Sequence, residues 1–576
     1  MKSLSGLDAT FLYLETPEMP MHVGSLNLCE LPVGFKGSFH KEVQKHIAKR
    51  IHLAPVFSRK LAFMPFDLGH PLWVEAEAVD VDFHVRRADP AKRGAPPMTV
   101  AQAHALCAKL HGELIDRRYP LWEFYIFDRI KLPSGQIVGG FYSKIHHAAL
   151  DGKGGVVLAN ALLDLGPTPR EVPPPDPAHQ RKLQADLKVG KMIGSVFSNS
   201  LAQVVKLAKT LPSAASTLGG TLARQALKGS GTGLRPKLPM RLAPKTPFNV
   251  AIGADRVFVT ATVPLAECRA MGEAVGGTFN DVVLWICSTA LRNYLAQHAS
   301  VPKKSMVAAM PVSLREAGHN DAADLGNQVS ISLVELGTHL AHPLKRMNAI
   351  MASTAKVKTS MQSLKSLLPT DYPSLLAPWL VGGAARAALN AYGKTGMAAR
   401  LPAVANLAIS NVPGPQVPLY LAGARFLSFH PLSIVLHGLA LNITIQTYAG
   451  HVDFGIIAGK QALPHAQDLA RAVEAAFREA LSLLAPAPPA AEPTAPVKPR
   501  KPRAAQTTKL EKPLTGKAAK RPDTASVSTS STSNSNSTRN NASNHGTTRA
   551  KPEVRQVRKA QPATKAARSP ARRTAA

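Results

Sequence analysis

The feature that most constrains this chain is an alternation of strand-like and helix-like segments that occurs twice, before and after a stretch bearing proline and glycine. In the first block, a helical pattern at residues 99–115 precedes strand patterns at 124–130 and 137–145. In the second block, strand and helix patterns alternate again from Asp255 and end in a helical pattern at 464–484. Such alternation predicts a layered α/β architecture, although it does not set the order of the strands.

Composition marks the boundaries between the parts of the chain. Residues 167–177 are rich in proline and residues 229–247 bear glycine and proline, and both stretches predict breaks between compact parts. From Pro486 onward Pro, Ala, Lys and Arg dominate, and because such sequence cannot bury a core it predicts a disordered basic tail. We therefore divide the chain into residues 1–166, 167–250, 251–485 and 486–576.

The part at residues 167–250 contains a pattern typical of a long amphipathic helix at residues 187–211. Its apolar residues recur at i, i+3, i+4 spacing, and its lysines fall largely outside that stripe. A basic amphipathic helix can lie in a lipid interface. It can equally be an ordinary helix packed against the body, and the sequence leaves both possibilities open.

The formal net charge of +32 is not confined to the tail. Of the 69 Lys and Arg residues, 19 lie from Pro486 onward, together with 4 of the 37 Asp and Glu residues. The body therefore carries more than half of the positive excess. A basic body favours acidic partners such as anionic lipid headgroups, phosphorylated cofactors or nucleic acid.

The cysteines and the apolar segments predict the cellular setting. The chain has 4 cysteines and no C-x-x-C pair, which predicts reduced, buried thiols in a cytosolic protein, without disulfides or a metal site. The N-terminus has no apolar segment typical of a signal peptide, and no uncharged apolar stretch is long enough to span a bilayer. If the protein meets a membrane, we expect it to lie on the surface.

The motif that carries chemistry is H-H-x-x-x-D-G, formed by His146, His147, Asp151 and Gly152 at the end of a predicted strand. An imidazole can accept a proton near neutral pH, and a nearby carboxylate and a glycine can fix the loop around it. The alternative is a pair of histidines with a purely structural role in a loop between strand and helix. A histidine pair alone does not decide between these readings.

Absent motifs narrow the choice of reaction. The sequence contains no G-x-S-x-G, no Walker A motif and no H-E-x-x-H. A serine acyl-enzyme, nucleotide hydrolysis and zinc hydrolysis therefore lack support. A histidine base without an obvious protein nucleophile fits direct transfer, in which the base deprotonates an acceptor hydroxyl that attacks an activated acyl group.

Five short motifs in one order resemble the bacterial wax ester synthase/acyl-CoA:diacylglycerol acyltransferase family over residues 4–484. They are Phe11-Leu12 with Pro20-Met21-His22-Val23-Gly24, Pro120-Leu121-Trp122-Glu123, the H-H-x-x-x-D-G element, Asn280-Asp281, and Ser410-Asn411-Val412-Pro413-Gly414-Pro415. The histidine element is also shared with chloramphenicol acetyltransferase-like enzymes and with peptide-synthetase condensation domains. The surrounding set points to the wax ester and triacylglycerol branch.

The resemblance implies two chloramphenicol-acetyltransferase-like α/β halves, residues 1–166 and 251–485, with the active site at their interface. It implies acyl-CoA as a co-substrate, with no permanently bound cofactor, and diacylglycerol or a long-chain alcohol as acceptor. Carried over by motif, His147 is the general base and His146 supports it. Asp151 holds the loop through a structural ion pair, and Gly152 permits the close turn.

The same resemblance implies a cytoplasmic enzyme that is peripheral to the inner membrane and to lipid inclusions. We expect the other motif residues to be architectural, with Trp122 in packing and Asn280-Asp281 in capping and in contact between the halves. We also expect His22 and His437 to be core or loop histidines.

Two other functions remain open from the residues alone. One is acyl transfer to a different acceptor, such as an amine, as in condensation domains. The other is a non-catalytic protein of lipid inclusions whose tail binds nucleic acid through phosphate contacts. The tail can also be no more than a solvated extension.

Overall fold

Three β-sheets organise the part of the chain that the structure describes. The computed structural model describes residues 2–63, 70–89, 95–150, 154–176, 242–313, 329–365, 391–393, 395–400 and 402–484. In chain order its strands are β1 (Lys2–Ser3), β2 (His22–Glu30), β3 (Arg59–Ala62), β4 (Leu72–Glu75), β5 (Val85–Arg87), β6 (Met98–Thr99), β7 (Trp122–Lys131), β8 (Ile137–His146), β9 (Arg256–Pro264), β10 (Val307–Ser313), β11 (Val329–Glu335), β12 (Leu407–Val412), β13 (Tyr420–Leu421), β14 (Ala424–Phe426), β15 (His430–Leu432), β16 (Leu441–Tyr448) and β17 (His451–Gly459).

The helices cover the sheets and connect their strands. They are α1 (Gly6–Leu14), α2 (Phe39–Ala48), α3 (Pro55–Ser58), α4 (Val81–His84), α5 (Val100–Gly112), α6 (Gly154–Leu162), α7 (Leu265–Ala274), α8 (Phe279–His298), α9 (Pro343–Lys365), α10 (Met397–Arg400) and α11 (Ala466–Leu484). Short 3-10 turns lie at Ile51–Leu53 and His147–Ala149.

The first large sheet has the order β13-β14-β2-β8-β7-β5, with β15 also paired to β2 and β6 to β7. Its centre is the antiparallel run β2-β8-β7, in which His22 lies opposite His146. The strands β13, β14 and β15 come from residues 420–432 and pair on the outer edge of the sheet. This sheet is therefore built from both sides of the predicted linker.

The second large sheet has the order β11-β10-β12-β16-β17-β9, with β10, β12 and β16 parallel and the remaining pairs antiparallel. Helices α8 and α11 pack against each other and contribute to its core, where Trp285, Leu295 and Leu469 are buried. At the start of α8, Thr278 and Asp281 form a reciprocal capping box that satisfies orphan N–H groups. The third sheet, β1-β4-β3, is small.

The predicted α/β architecture is confirmed, and most helix and strand patterns match within a few residues. The alternation of Val79, Val81 and Phe83 with aspartates predicts a strand, and this prediction is wrong, because residues 81–84 form the short helix α4. The reason is local, because the Asp80 side chain accepts hydrogen bonds from the backbone N–H groups of Asp82 and Phe83 and so caps a helical turn.

Residues Met1–Ala490 form one compact unit. The predicted amphipathic helix at 187–211 and the tail from Pro486 onward lie outside the described residues. The division of the body at residues 166 and 251 stays a prediction.

The environment of the cysteines and the apolar character of the helices both bear on the cellular setting. All four cysteines are buried free thiols, and burial raises the pKa of each, as expected for unreactive core residues. Within the described ranges, no individual helix combines the length and apolar character needed to cross a bilayer; α7 and α8 meet that test only as a pair bent by 101°.

Candidate active site

The two histidines of the motif lie where β8 ends in the middle of the first sheet. The backbone N–H of His146 donates to the carbonyl of Leu121 at 2.9 Å, and that of His147 donates to the carbonyl of Met21 at 2.8 Å. These bonds tie the end of β8 to the segments that precede β2 and β7. The chain then turns through the 3-10 turn His147–Ala149.

His146 is a buried residue whose orientation is set by its neighbours. Its Nδ1 accepts a hydrogen bond from the backbone N–H of Ala148 at 3.1 Å, which places the proton of a neutral ring on Nε2. That Nε2 lies 3.3 Å from Oε1 of Glu15, and both side chains are almost fully buried. His146 therefore faces a carboxylate inside the protein, which suits a supporting role.

Glu15 holds this arrangement in place, although no motif in the sequence points to it. Its Oε1 accepts from the N–H of Met21 at 3.0 Å, and its Oε2 accepts from Nη2 of Arg117 at 2.7 Å. Burial raises the pKa of this carboxyl, but His146, Arg117 and the Met21 N–H outweigh it and bring the pKa to about 2. Glu15 is therefore a charged carboxylate at neutral pH.

His147 is the more accessible of the two histidines. Its ring stacks on the ring of Phe11 from α1, with centroids 4.0 Å apart and an interplanar angle of 17°. Among the described residues its Nδ1 has no hydrogen-bond partner. The pKa of His147 is lowered to about 4, mainly by burial and in smaller part by the nearby His146. The imidazole is therefore unprotonated at neutral pH and able to accept a proton.

Asp151 and Gly152 lie outside the described residues. The chain resumes at Gly154, the first residue of α6. The predicted roles of the aspartate and the glycine stay predictions.

Trp122 packs and Asp281 caps a helix, as expected, whereas the expected contact of Asn280-Asp281 between the halves stays a prediction, because their partners also lie within residues 251–485. Trp122 is fully buried, donates from Nε1 to the carbonyl of Phe57 at 3.1 Å, and stacks on His84. Asp281 caps α8, and its Oδ1 also accepts from the hydroxyl of Thr354 at 2.7 Å. Next to it, Nδ2 of Asn411 donates to Oδ1 of Asn280 at 3.4 Å, which links β12 to the start of α8.

The two remaining histidines singled out from the motifs are also structural. His22 is buried, with its Nε2 2.6 Å from the carbonyl of His111. His437 accepts at Nδ1 from the backbone N–H of Ile252 at 3.1 Å.

The segment that supports the histidines also contacts the second half of the chain. The backbone N–H of His437 donates to Sδ of Met19 at 3.5 Å, and the Arg256 guanidinium donates to the carbonyl of Glu18. Glu18 and Met19 lie in the connection between α1 and β2, which also holds Glu15. The histidine site is thus built where segments from both halves meet.

Comparison with known proteins gives one consistent result. Residues 4–283 match the wax ester synthase/diacylglycerol acyltransferase catalytic domain, and residues 325–480 match the WS/DGAT C-terminal domain. A Mycobacterium tuberculosis protein named as a diacylglycerol O-acyltransferase is 34% identical over 484 residues, covering 83% of this chain and 98% of the relative. A second one from that species is 33% identical over 487 residues, covering 82% and 97%.

A solved structure shows the same similarity in three dimensions. The wax ester synthase/diacylglycerol acyltransferase from Marinobacter aquaeolei VT8 superposes with a TM-score of 0.57 at 27% sequence identity. The match covers 84% of this chain and 100% of that one.

Proposed function

This chain belongs to the wax ester synthase/diacylglycerol acyltransferase family and is an O-acyltransferase; on that premise we propose that it moves a fatty acyl group from acyl-CoA to diacylglycerol, to a long-chain alcohol, or to both. The products are triacylglycerol and wax esters. The observation that carries the proposal is the unprotonated imidazole of His147, stacked on Phe11 and adjacent to a histidine anchored by Glu15. The family match replaces the reading of the chain as a non-catalytic protein.

His147 acts as the general base in this proposal. It takes the proton of the acceptor hydroxyl while the oxygen attacks the thioester carbonyl, and a tetrahedral intermediate forms. The carbon–sulfur bond then breaks, and the proton held by His147 passes to the departing sulfur, so that CoA leaves as the thiol and the base is restored. Because the thioester is already activated, positioning and proton transfer suffice, and no acyl-enzyme is needed.

His146 supports the base without touching the substrate. The two histidines are consecutive residues, so the contact of His146 with Glu15 fixes the backbone from which His147 projects. Asp151 and Gly152 complete the loop, the aspartate through an ion pair and the glycine through a close turn. These roles follow the family motif.

We propose that the enzyme works in the cytoplasm at the surface of the inner membrane or of a lipid inclusion. Its acceptors are apolar, and the positive charge of the body suits the phosphates of CoA and anionic headgroups. The tail is proposed to add contacts to anionic surfaces or to nucleic acid.

A transfer assay with purified protein tests the reaction. One long-chain acyl-CoA is offered with a panel of diacylglycerols, long-chain alcohols and amines, and free CoA thiol and acylated product are both measured. We expect equal amounts of thiol and neutral lipid with the hydroxyl acceptors. Thiol release without an acylated product would show hydrolysis, and amide formation alone would move the enzyme to the condensation-like reaction.

Variants of the same protein test the base. His147→Ala is expected to lower kcat by at least about 100-fold, the lower end of general-base effects. The matched control His339→Ala removes an exposed histidine and is expected to keep full activity. Activity of His147→Ala equal to that of the control would refute the assignment.

A further inference from the structure

Away from the histidine motif, a second group of titratable side chains joins the ends of two helices. His298 is the last residue of α8, His465 directly precedes α11, and Asp468 lies in the first turn of α11. Nε2 of His298 donates to Oδ2 of Asp468 at 2.8 Å. The two imidazole rings stack with centroids 4.3 Å apart, and one ligand atom from each residue lies within 4.8 Å of the others.

We propose that His298, His465 and Asp468 form a binding site for a divalent transition-metal ion, with Zn²⁺ as the best fit. Two imidazole nitrogens and one carboxylate oxygen are a donor set that zinc accepts. Donor atoms about 2.0–2.1 Å from a tetrahedral ion are roughly 3.3 Å apart. Nε2 of His298 lies 2.8 Å from Oδ2 of Asp468, and the three ligand atoms lie within 4.8 Å of one another, so the residues are close enough to share an ion once the stacked imidazole rings turn their nitrogens towards it. The absence of a C-x-x-C pair argues only against a cysteine-based metal site, and this donor set contains no cysteine.

The frame that holds these ligands is rigid. Helices α8 and α11 pack against each other in the core of the second sheet, with Leu295 and Leu469 fully buried. The ligand positions are thus fixed by the core, and ion binding pays little ordering entropy. The Tyr294 ring also packs against His298, with centroids 4.8 Å apart.

The local charges are compatible with a cation. Asp468 supplies a negative charge, and the C-terminal end of α8 favours a positive one, which together offset the positive end of α11. Arg471 pairs with Oδ1 of Asp468 as an outer partner that orients the ligand, and the ion takes the place of the proton that Nε2 of His298 donates to Oδ2. His465 is exposed and the side chains of His298 and Asp468 are 16% and 21% exposed, which leaves room for entry and for a water as fourth ligand.

Metal binding by the full chain tests the site. Protein stripped with a chelator is titrated with Zn²⁺ against a competing indicator, and bound zinc is counted after dialysis. Wild type is expected to hold one tight ion per chain. His465→Ala and Asp468→Asn are expected to weaken this binding by more than about 10-fold, since loss of an outer partner alone costs about 10–100-fold. His339→Ala, which removes an exposed histidine outside the group, is the matched control and is expected to bind like wild type.

Zinc binding is measured without acyl transfer, so a failure of the metal site can be distinguished from a failure of the proposed reaction. Zinc is also expected to raise the Tm of wild type and of the control, but not that of His465→Ala, because the ion links the ends of two helices. Absence of saturable binding by wild type would overturn the proposal. So would binding of equal stoichiometry and affinity in wild type and His465→Ala.

Discussion

Replacing Glu15 with glutamine should disturb both the stability of the protein and its catalysis. The substitution keeps the size of the side chain but removes the charge that faces Arg117 and His146. The pKa of Glu15 is about 2 in the folded protein against an ordinary value of 4.5, a difference worth about 3 kcal/mol. Because the folded pKa is the lower one, this stability is fully present above pH 4.5 and is lost as the pH falls towards 2.

The catalytic effect follows from the shared backbone of the two histidines. Glutamine offers one accepting oxygen in place of two and turns its NH2 towards Arg117 or His146, so His146 loses its charged partner and the position of His147 is held less firmly. A displacement of about 1 Å at a reacting group can cost about 100-fold in rate. We expect Glu15→Gln to lower kcat by about 10–100-fold while KM for both substrates changes little.

Three measurements check this reasoning. Urea unfolding at pH 7 gives the stability change, and the control Glu30→Gln, whose partner Arg425 is similarly exposed, should cost less than about 1 kcal/mol. Steady-state kinetics separate kcat from KM. The double variant Glu15→Gln/His147→Ala should be no slower than His147→Ala alone, because both changes remove the same function. A folded Glu15→Gln enzyme with wild-type kcat would refute the argument.

Further predictions concern the buried histidines, the stacked ring and the tail. Burial holds the pKa of His104 and His111 at about 3 and that of His147 at about 4, below the ordinary 6.5. Below pH 6.5 each of these histidines binds a proton when the protein unfolds, so the free energy of unfolding should fall by about 1.4 kcal/mol per histidine at pH 5.5. Urea unfolding at pH 7.5 and 5.5 measures this difference. Phe11→Ala should remove a stacking contact worth about 0.5–1.5 kcal/mol and raise the pKa of His147 by admitting water, measured from NMR titration or the pH profile of kcat; an unchanged pKa would contradict this. Removal of residues 486–576 should leave acyl transfer intact and weaken any salt-sensitive binding to DNA or anionic vesicles, measured by gel shift and vesicle sedimentation.

The sequence made the architecture predictable where a pattern repeats along the chain. The helical spacing at α5 and α8, the capping residues Thr278 and Asp281, and the adjacent histidines are all local signals. The local structure that each signal forms depends mainly on neighbouring residues, so periodicity and capping rules suffice to locate these helices and caps.

Contacts between residues far apart in the sequence could not be predicted from periodicity or capping rules. Arg117 and Glu15 are separated by 102 positions, and no local pattern pairs them. The strands β13, β14 and β15 have only 2 or 3 residues each, too few to show a period. At residues 79–83 the alternation of apolar and acidic residues favours a strand, but the hydrogen bonds that the Asp80 side chain accepts stabilise a helical turn instead.

The return of residues 420–432 to the first sheet has a consequence for the protein's biogenesis. The outer edge of β2 receives its partners only after nearly 400 further residues have been made. At about 5–20 residues per second, that edge waits for roughly 20–80 s on the ribosome. An open strand edge invites pairing with other chains. We therefore expect the nascent N-terminal half to expose this edge until synthesis reaches the closing strands, and the yield of folded protein to fall when elongation is slowed.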